Sequence, residues 1–459
     1  MNFSPGKINK TLDVIKLEGQ LTDQGIRRLA ITWVNHSGLI LVKVVPITSL
    51  LNAVKIGVGF SPVSDAFRID GQIEQAHQLA VPDGDLRLKA VPDAIGMLES
   101  KSGWCWMPGE RWYQDGKQYG VDQRSFCRRM QQDLIDIEAD FKAGFELEWM
   151  VLEEELEQDS ISKIMGGPYG ADRLIDGLDY AAAITNALED AGVSWMQFHP
   201  EYGSSQFEIS LSPGTALQAC DKLILTKLIV QRITKKFGWR CSFSPKPKKN
   251  VVGNGAHLHM SILEKGNNLF QGGQMIAGLQ VRGGSIISSL LENLPALMAL
   301  GCPSCISYLR LKPKTWSAPY QIWGIENREA ALRLVPSVKD LSDAHLELKV
   351  ADATANPYLL VGSVMAIVYD GLVKYRHHLD PPIVGDPSKQ KGLEKKLLPK
   401  NLNESKEYFL RNHILKRSMG PNLHSTLVES MEAEERRCQY LTEDEIISMT
   451  RLWPLLASF

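Results

Sequence analysis

The sequence predicts an α+β protein, on three observations. Phe145-Glu146-Leu147-Glu148-Trp149, His257-Leu258-His259-Met260-Ser261 and Leu346-Glu347-Leu348-Lys349-Val350 alternate polar and apolar side chains, the period of half-buried strands. Long segments with helical spacing of apolar residues separate and follow them. The N-terminal part adds a β-rich run over 29–47, broken at Asn35-His36-Ser37-Gly38, which is hairpin-turn chemistry.

In chain order, Gly57-Val58-Gly59-Phe60-Ser61 reads as a glycine-rich loop. Phe126, Met130, Leu134 and Ile137 give a helix over 125–141. The first acidic strand follows, through Leu152. The charged stretch 153–161 is expected as a solvated loop. A helix over 177–191 stops at Gly192 and leads to a strand over 193–198, then to His199-Pro200-Glu201. Residues 217–237 form a helix stopped by Gly238, and 275–300 are mostly helical. The apolar helix 355–373 contains Gly362, which marks a close contact. Residues 380–400 are a Pro/Gly/Lys loop, and 404–447 are charged and helical with a break at Gly420-Pro421. No repeat or low-complexity segment is visible.

The 459 residues leave room for two or three domains, with 44% hydrophobic and 23% charged content typical of globular chains. The formal net charge of -2 argues against nucleic-acid binding through bulk charge. Lys7, Lys10, Asp13, Lys16 and Glu18 leave no apolar leader at the N-terminus. The apolar run 358–367 is shorter than the ~20 residues a bilayer needs, and Asp370 closes it. No membrane partner is expected. The seven cysteines are scattered, and Cys302 and Cys305 have no second pair or nearby histidine to complete a zinc site. They read as free thiols near a core, in a cytoplasmic protein.

The chemistry gathers around Gly253-Asn254-Gly255, a loop that runs into the His257 strand. An isolated H-x-H is more often a strand with two satisfied histidines, and single acidic strands are often surface. Here Glu146, Glu148, Glu201, Glu208 and Glu347 join His257 on alternating strands. Such a set suits Mg²⁺ or Mn²⁺, the single imidazole tilting it toward Mn²⁺. Without cations, five buried carboxylates would repel and several would take up protons.

These motifs resemble the glutamine synthetase family. The matching stretches run in the family's order: Gly144 to Glu148; His199-Pro200-Glu201 with Gln206-Phe207-Glu208; Pro245-Lys246-Pro247 leading to Gly253 through Ser261; Ser307-Tyr308-Leu309-Arg310-Leu311; Ala318-Pro319; Asn327-Arg328 with Arg333-Leu334-Val335-Pro336; and Glu347 through Tyr358. The resemblance implies a β-grasp-like N-terminal domain over 1–122. It implies a catalytic domain over 123–459 with a curved antiparallel sheet. It further implies a homo-oligomer of two stacked hexameric rings, with the 57–61 region reaching the neighbouring subunit's site. By the same resemblance Glu148, Glu201 and Glu208 hold one metal ion, and Glu146, His257 and Glu347 hold another shared with ATP. His259 and Ser261 lie near the nucleotide. Arg328 and Arg333 face the transferred phosphoryl group, the latter also the nucleotide's polyphosphate. Arg310 and Gly253 hold the amino-acid substrate, and Lys349 stands where the family has an arginine on the reacting carboxyl. The implied reaction phosphorylates a carboxylate with ATP and then displaces phosphate with a nitrogen nucleophile.

The chain departs from the family where ammonia binds. Ser317 precedes Ala318-Pro319 in place of a glutamate, and 57–61 carries no acid; Asp65 is the nearest candidate, out of register. An aromatic, Trp316, adjoins the missing acid and suits an organic amine through apolar and cation–π contact, unless it is a core or subunit-interface aromatic. This resembles the γ-glutamyl-amine and γ-glutamyl-polyamine ligase branch. Lys349 for arginine, Val252 and Ile306 are further departures on the acyl side. The expected function is therefore a carboxylate–amine ligase acting on a glutamate-like acid and an amine. The alternatives are an ammonia-using glutamine synthetase and a non-catalytic assembly protein of the same fold.

Overall fold

In this computed structural model the structure describes residues 11–153, 164–337, 343–375 and 378–454. The expected charged loop after Glu153 lies outside them. The N-terminal part comprises α1 (Thr11–Asp23), β1 (Arg28–Val34), β2 (Ile40–Pro46), α2 (Leu50–Lys55), β3 (Val58–Phe60), β4 (Leu86–Ala90), β5 (Gly96–Glu99) and β6 (Trp104–Trp112). Its sheet has the order β2-β1-β6-β4-β3, with β5 also on β6. The β1–β2 hairpin turns at residues 35–38 as the composition requires, while β1 runs parallel to β6. The glycine-rich stretch at 57–61 is not a free loop. Its middle is β3, antiparallel to β4, and Phe60 is buried in the core.

The remaining elements are α3 (Gln123–Asp136), β7 (Ala139–Glu153), α4 (Ala171–Asp176), α5 (Leu178–Asp190), β8 (Trp195–Pro200), β9 (Gln206–Leu211), β10 (Gly214–Thr215), α6 (Ala216–Lys236), β11 (Trp239–Ser242), β12 (Ala256–Glu264), β13 (Asn267–Asn268), α7 (Val281–Gly301), α8 (Cys305–Arg310), β14 (Tyr320–Ile325), β15 (Ala330–Val335), β16 (His345–Leu348), α9 (Pro357–Lys374), α10 (Leu402–Arg411), α11 (His413–Met419), α12 (Pro421–Cys438) and α13 (Glu443–Thr450). The ten-stranded sheet has the backbone order β14-β15-β16-β12-β7-β9-β8. It is antiparallel except for the parallel β14–β15 pair, so the expected all-antiparallel sheet is mixed at one edge.

Local chemistry explains the element ends. Asp122 caps α3 by accepting from the Ser125 amide, so the helix starts at 123 and ends before Phe141, which belongs to β7. Thr215 and Gln218 form a reciprocal capping box on α6. Asn356 caps α9, with Pro357 in the first turn. Helices α7 and α9 are each long and apolar enough to cross a membrane by length and composition, the latter longer than its apolar run alone suggested. Both are mostly buried here. Ser285 and Ser289 of α7 donate to the Gly371 and Ile367 carbonyls of α9. Gly362 of α9 lies against Phe126 of α3, where a Cβ would sit 2.6 Å from the ring.

Two connections tie the small sheet to the large one. Gly38 of the hairpin turn, at φ +75°, lies against the Thr354 carbonyl, and Asn356 donates to the Val34 and Asn35 carbonyls. Arg124 bridges Glu110 of β6 and Asp221 of α6, all three buried. Asp65 is fully buried, ion-paired with Arg111 and bonded by Gln123, so within its own chain it is not a free acid for substrate.

Gly38→Val adds a side chain both at a left-handed position and into the Thr354 backbone. It should destabilise the protein by about 1–3 kcal/mol or more, the usual cost of overpacking. Thermal or urea unfolding reads this; unchanged stability would mean the turn does not seat against residues 354–355.

Candidate active site

Cross-strand register builds the site. On β12, His257 stands opposite Glu146 of β7, and His259 opposite Glu347 of β16. Glu208 of β9 stands opposite both Glu148 of β7 and His199 of β8. Arg333 of β15 stands opposite Glu347. Directly opposed residues share a face of the sheet, with Cβ atoms roughly 5 Å apart. Alternate residues Leu147, Trp149, Leu258, Met260, Leu346 and Leu348 fill the other face and are buried.

One cluster comprises Glu146, His257 and Glu347, whose ligand atoms lie within 4.8 Å of one another. His257 Nδ1 is 3.4 Å from Glu146 and 3.3 Å from Glu347, while His259 Nε2 is 3.2 Å from Glu146. Arg333 Nε and Lys349 Nζ lie 2.6 and 3.3 Å from Glu347. Burial alone would raise the Glu347 pKa, but Lys349, the two imidazoles and Arg333 hold it at about 2. Burial, then the Lys349 charge, lowers His257 to about 4. Its imidazole is therefore neutral near pH 7; Nδ1 is the nitrogen that faces Glu146 and Glu347, while Nε2, on the Glu148 side, is buried without a hydrogen-bond partner. That is the state of an imidazole ready to donate a lone pair to a metal.

The second cluster comprises His199, Glu201 and Glu208, again within 4.8 Å, with Glu148 facing it across the β7–β9 pair. Burial, then the charges of Glu208 and Glu201, pushes Glu148 up to about 8. Its Oε2 accepts from the Gly255 amide and the Gln206 side chain. A hydrogen bond to Glu208 raises His199 to about 9. Three carboxylates against one imidazole leave excess negative charge, which a divalent cation would neutralise. Both donor sets therefore fit divalent metal ions.

Other expected site residues lie around these clusters. Arg310 is buried and donates to the Lys349 and Ala351 carbonyls. Gly253 is required by the fold itself, because a Cβ there would meet the Pro245 carbonyl and lie 2.7 Å from Arg310 Cγ. Ser261 donates to the Ala344 carbonyl, and the His259 ring is 5.1 Å from that of His345. Arg328 is exposed and lines a cavity of about 460 Å³ with Lys314, Trp316, Asn327, Glu329, Gly385, Asp386 and Lys389, and its charge reaches Tyr169, which is bonded to Glu201 of the second cluster. Trp316 is 59% exposed and is not a core aromatic. Ser317 hydrogen-bonds within its own loop, to Lys312 and Thr315.

Sequence reading missed several contributors. His199 appeared only as part of a motif, though its place at a strand end beside Glu201 was the available signal. Gln206 and Asn254 went unassigned; Gln206 donates to Glu148, Gly253 and Asn254, and Asn254 donates to the Ser242 and Ser244 carbonyls. Ile306, a departure from the family pattern, is buried with Cys438, Ile446 and Ile447, under α12 and α13. Cys302 is a buried thiol beside the Val350 carbonyl. Cys305 meets Cys438 and Glu434, a grouping that no local motif announces. Two hydrogen bonds from Arg437 already compensate Glu434.

Residues 120–449 match the family model of the glutamine synthetase catalytic domain. The chain is 35% identical over 458 residues to the gamma-glutamylpolyamine synthetase of Streptomyces coelicolor, covering 97% of each. It is 28% identical over 355 residues to the glutamate–methylamine ligase of Methyloversatilis universalis, covering 72% of this chain and 77% of that one. A solved glutamine synthase homologue superposes with a TM-score of 0.83 at 24% identity, over 93% of this chain and 98% of its own. GmaS in complex with ADP gives 0.82 at 22%, over 93% and 97%. At these identities the solved structures bear on the fold alone. The chain belongs to the glutamine synthetase family of ATP-dependent carbon–nitrogen ligases.

Proposed function

We propose that this protein joins a glutamate-like acid to an organic amine through an acyl phosphate formed with ATP. The observation that carries the amine reading is the loop before Ala318-Pro319. It offers no carboxylate, ties Ser317 into itself and presents an exposed Trp316 to a cavity of about 460 Å³. Two relatives whose names specify polyamine and methylamine as substrates support it.

Mg²⁺ or Mn²⁺ ions held by Glu148, Glu201 and Glu208 and by Glu146, His257 and Glu347 would supply Lewis acidity and neutralise phosphate charge. The chain's own residues do the rest. Arg333, fixed on Glu347, and Arg328, free at the cavity, are the guanidinium donors for the phosphates. His259 and Ser261 lie on the nucleotide side. Arg310 and Gly253 bind the amino-acid end, and Lys349 faces the reacting carboxyl. No protein nucleophile is needed, because positioning and fixed positive charge accelerate phosphoryl transfer.

On the same reading the chain divides at 122/123, where Asp122 starts α3 between the two sheets. The parallel β1–β6 pair beside the hairpin supports a β-grasp-like small domain. Exposed Val42 and Val44 on edge strand β2 support burial against another subunit, in a dodecamer of two hexameric rings. With β3 engaged in its own sheet, that surface and the open cavity support the ring better than the 57–61 stretch does. Seven free thiols support a cytoplasmic setting.

Wild type should gain thermal stability in millimolar Mg²⁺ or Mn²⁺, about 2.7 kcal/mol where metal exceeds Kd a hundredfold. Glu148→Ala and Glu208→Ala should lose that gain and the ligase activity while remaining folded by circular dichroism. No divalent-ion shift in wild type would contradict the metal reading. In kinetics, an alkylamine should give a higher kcat/KM than ammonium. Trp316→Ala should penalise the alkylamine more than ammonium, by roughly tenfold for two lost CH₂ contacts at ~0.8 kcal/mol each. Equal penalties would make Trp316 a structural residue, and a wild-type preference for ammonium would overturn the amine reading.

A further inference from the structure

The missing carboxylate poses a chemical problem. An alkylamine is an ammonium ion near pH 7 and must shed a proton before its nitrogen can attack. Ser317, which stands at the vacated position, cannot take that proton, since an alcohol is not a base near pH 7 and its hydroxyl is already bonded to Lys312 and Thr315.

Another carboxylate faces the same cavity from the neighbouring strand. Glu329 immediately precedes β15 and is only 7% exposed. Its Oε1 accepts from the Trp316 amide at 2.7 Å, while its Oε2 is buried with no hydrogen-bond partner. A buried carboxylate oxygen left unpaired is costly, and its occurrence beside a cavity marks a place for a donor. Burial also raises the Glu329 pKa; the Trp316 amide opposes the rise, Asp386 adds to it, and Lys349 and the Lys314 amide oppose it. The Lys349 amide donates to the carbonyl of Ala331, two residues beyond Glu329, and Lys349 Nζ lies 3.3 Å from Glu347 in the first metal cluster, so Glu329 adjoins the end of the site where the acyl group is expected.

The loop holding Trp316 is shaped around this contact. Lys314, Trp316 and Ala318 all have positive φ, between 55° and 65°, a conformation non-glycine residues adopt at some cost. The Trp316 amide bond to Glu329 is one interaction that holds the loop so, with the indole at the cavity. The other charges around the cavity are Lys314, Arg328, Lys389 and Asp386, the last two 3.8 Å apart. Asp386 is also engaged by the Ser388 amide. Trp316 is the large apolar surface in this lining, so an ammonium head at Glu329 can carry its first alkyl carbons against the indole.

We propose that Glu329 is the carboxylate that binds the incoming amine as its ammonium ion and accepts its proton. This rests on the amine-ligase reading above. The ammonium passes one proton to Glu329 Oε2. The freed nitrogen lone pair then forms the C–N bond at the acyl-phosphate carbon as the C–O bond to phosphate breaks. The second nitrogen proton leaves with the phosphate, and Glu329 returns its proton to solvent. The site has thus moved its acid from the loop to the strand beside it, and Trp316 fills the space so opened.

The test compares wild type, Glu329→Gln and Glu329→Asp in amide formation from ATP, glutamate, and methylamine, butylamine or ammonium. Glu329→Gln keeps an acceptor for the Trp316 amide but removes the charge and the base. It should raise the amine KM and lower kcat, together reducing kcat/KM for the amine roughly 10–100-fold, the loss of one charge-assisted hydrogen bond. The KM values for ATP and glutamate should stay within about twofold, because those groups bind elsewhere. Glu329→Asp should recover part of the loss, which a purely structural role would not require. It also provides the comparison if Glu329→Gln melts early. Unchanged amine kinetics in Glu329→Gln, or Gln and Asp variants that behave alike, would overturn the proposal. If wild type prefers ammonium but Glu329→Gln weakens it selectively, the organic-amine reading fails and the Glu329 assignment stands. If wild type ligates no nitrogen nucleophile, both fail.

Discussion

The register between β7, β9, β12 and β16 is the constraint on which the site depends. Glu146 faces His257, His259 faces Glu347, and Glu148 faces Glu208 because the strands pair in one register. A slip of one residue would turn every one of these side chains to the opposite face. The apolar face prevents the slip. Leu147, Trp149, Leu258, Met260, Leu346 and Leu348 would all have to leave the core, at about 1.5–3 kcal/mol for each large side chain exposed. Thus the hydrophobic half of each strand positions the polar half. Burial, together with the like charges of Glu208 and Glu201 forced close to it, pushes the Glu148 pKa up to about 8.

The small sheet contributes to the site from behind. The segment leaving β16 carries Lys349, then Asp352, Thr354 and Asn356, before α9 begins. Asp352 accepts from both the backbone and hydroxyl of Thr354, and Asn356 grips the β1–β2 turn. Gly38 lets that turn come down onto Thr354. Arg310 hydrogen-bonds the carbonyls of 349 and 351 in the same segment. The N-terminal hairpin, the Glu347 strand and the Arg310 helix are therefore linked by hydrogen bonds, each of which fixes the next.

Much of this was legible in the sequence because the acidic strands advertise themselves locally. Alternation revealed β7, β12 and β16, and the long apolar helices followed from their period and their glycine stops. What was hidden depended on residues distant in the chain or on mixed signals. The β3 segment looked like a loop because Gly57 and Gly59 mask a strand that only β4 completes. Strand β6 is almost wholly buried, so it lacks the alternation of a half-exposed strand. Asp65 looked available because nothing nearby in sequence announces Arg111. Cys305 looked isolated because Cys438 is brought to it by α12. Glu329 sits beside a motif arginine, yet its relation to Trp316 exists only once the loop folds back onto β15.

The central claim is that this register creates two separate cation sites from one sheet face. Diffraction from crystals grown with Mn²⁺, collected above and below the manganese absorption edge, tests it most directly. The account predicts two anomalous peaks per chain. One should be bounded by Glu148, Glu201 and Glu208, the other by Glu146, His257 and Glu347. A Mn²⁺-saturated crystal with no peak at either cluster, or with Arg333 and Lys349 alone neutralising the carboxylates, would contradict it.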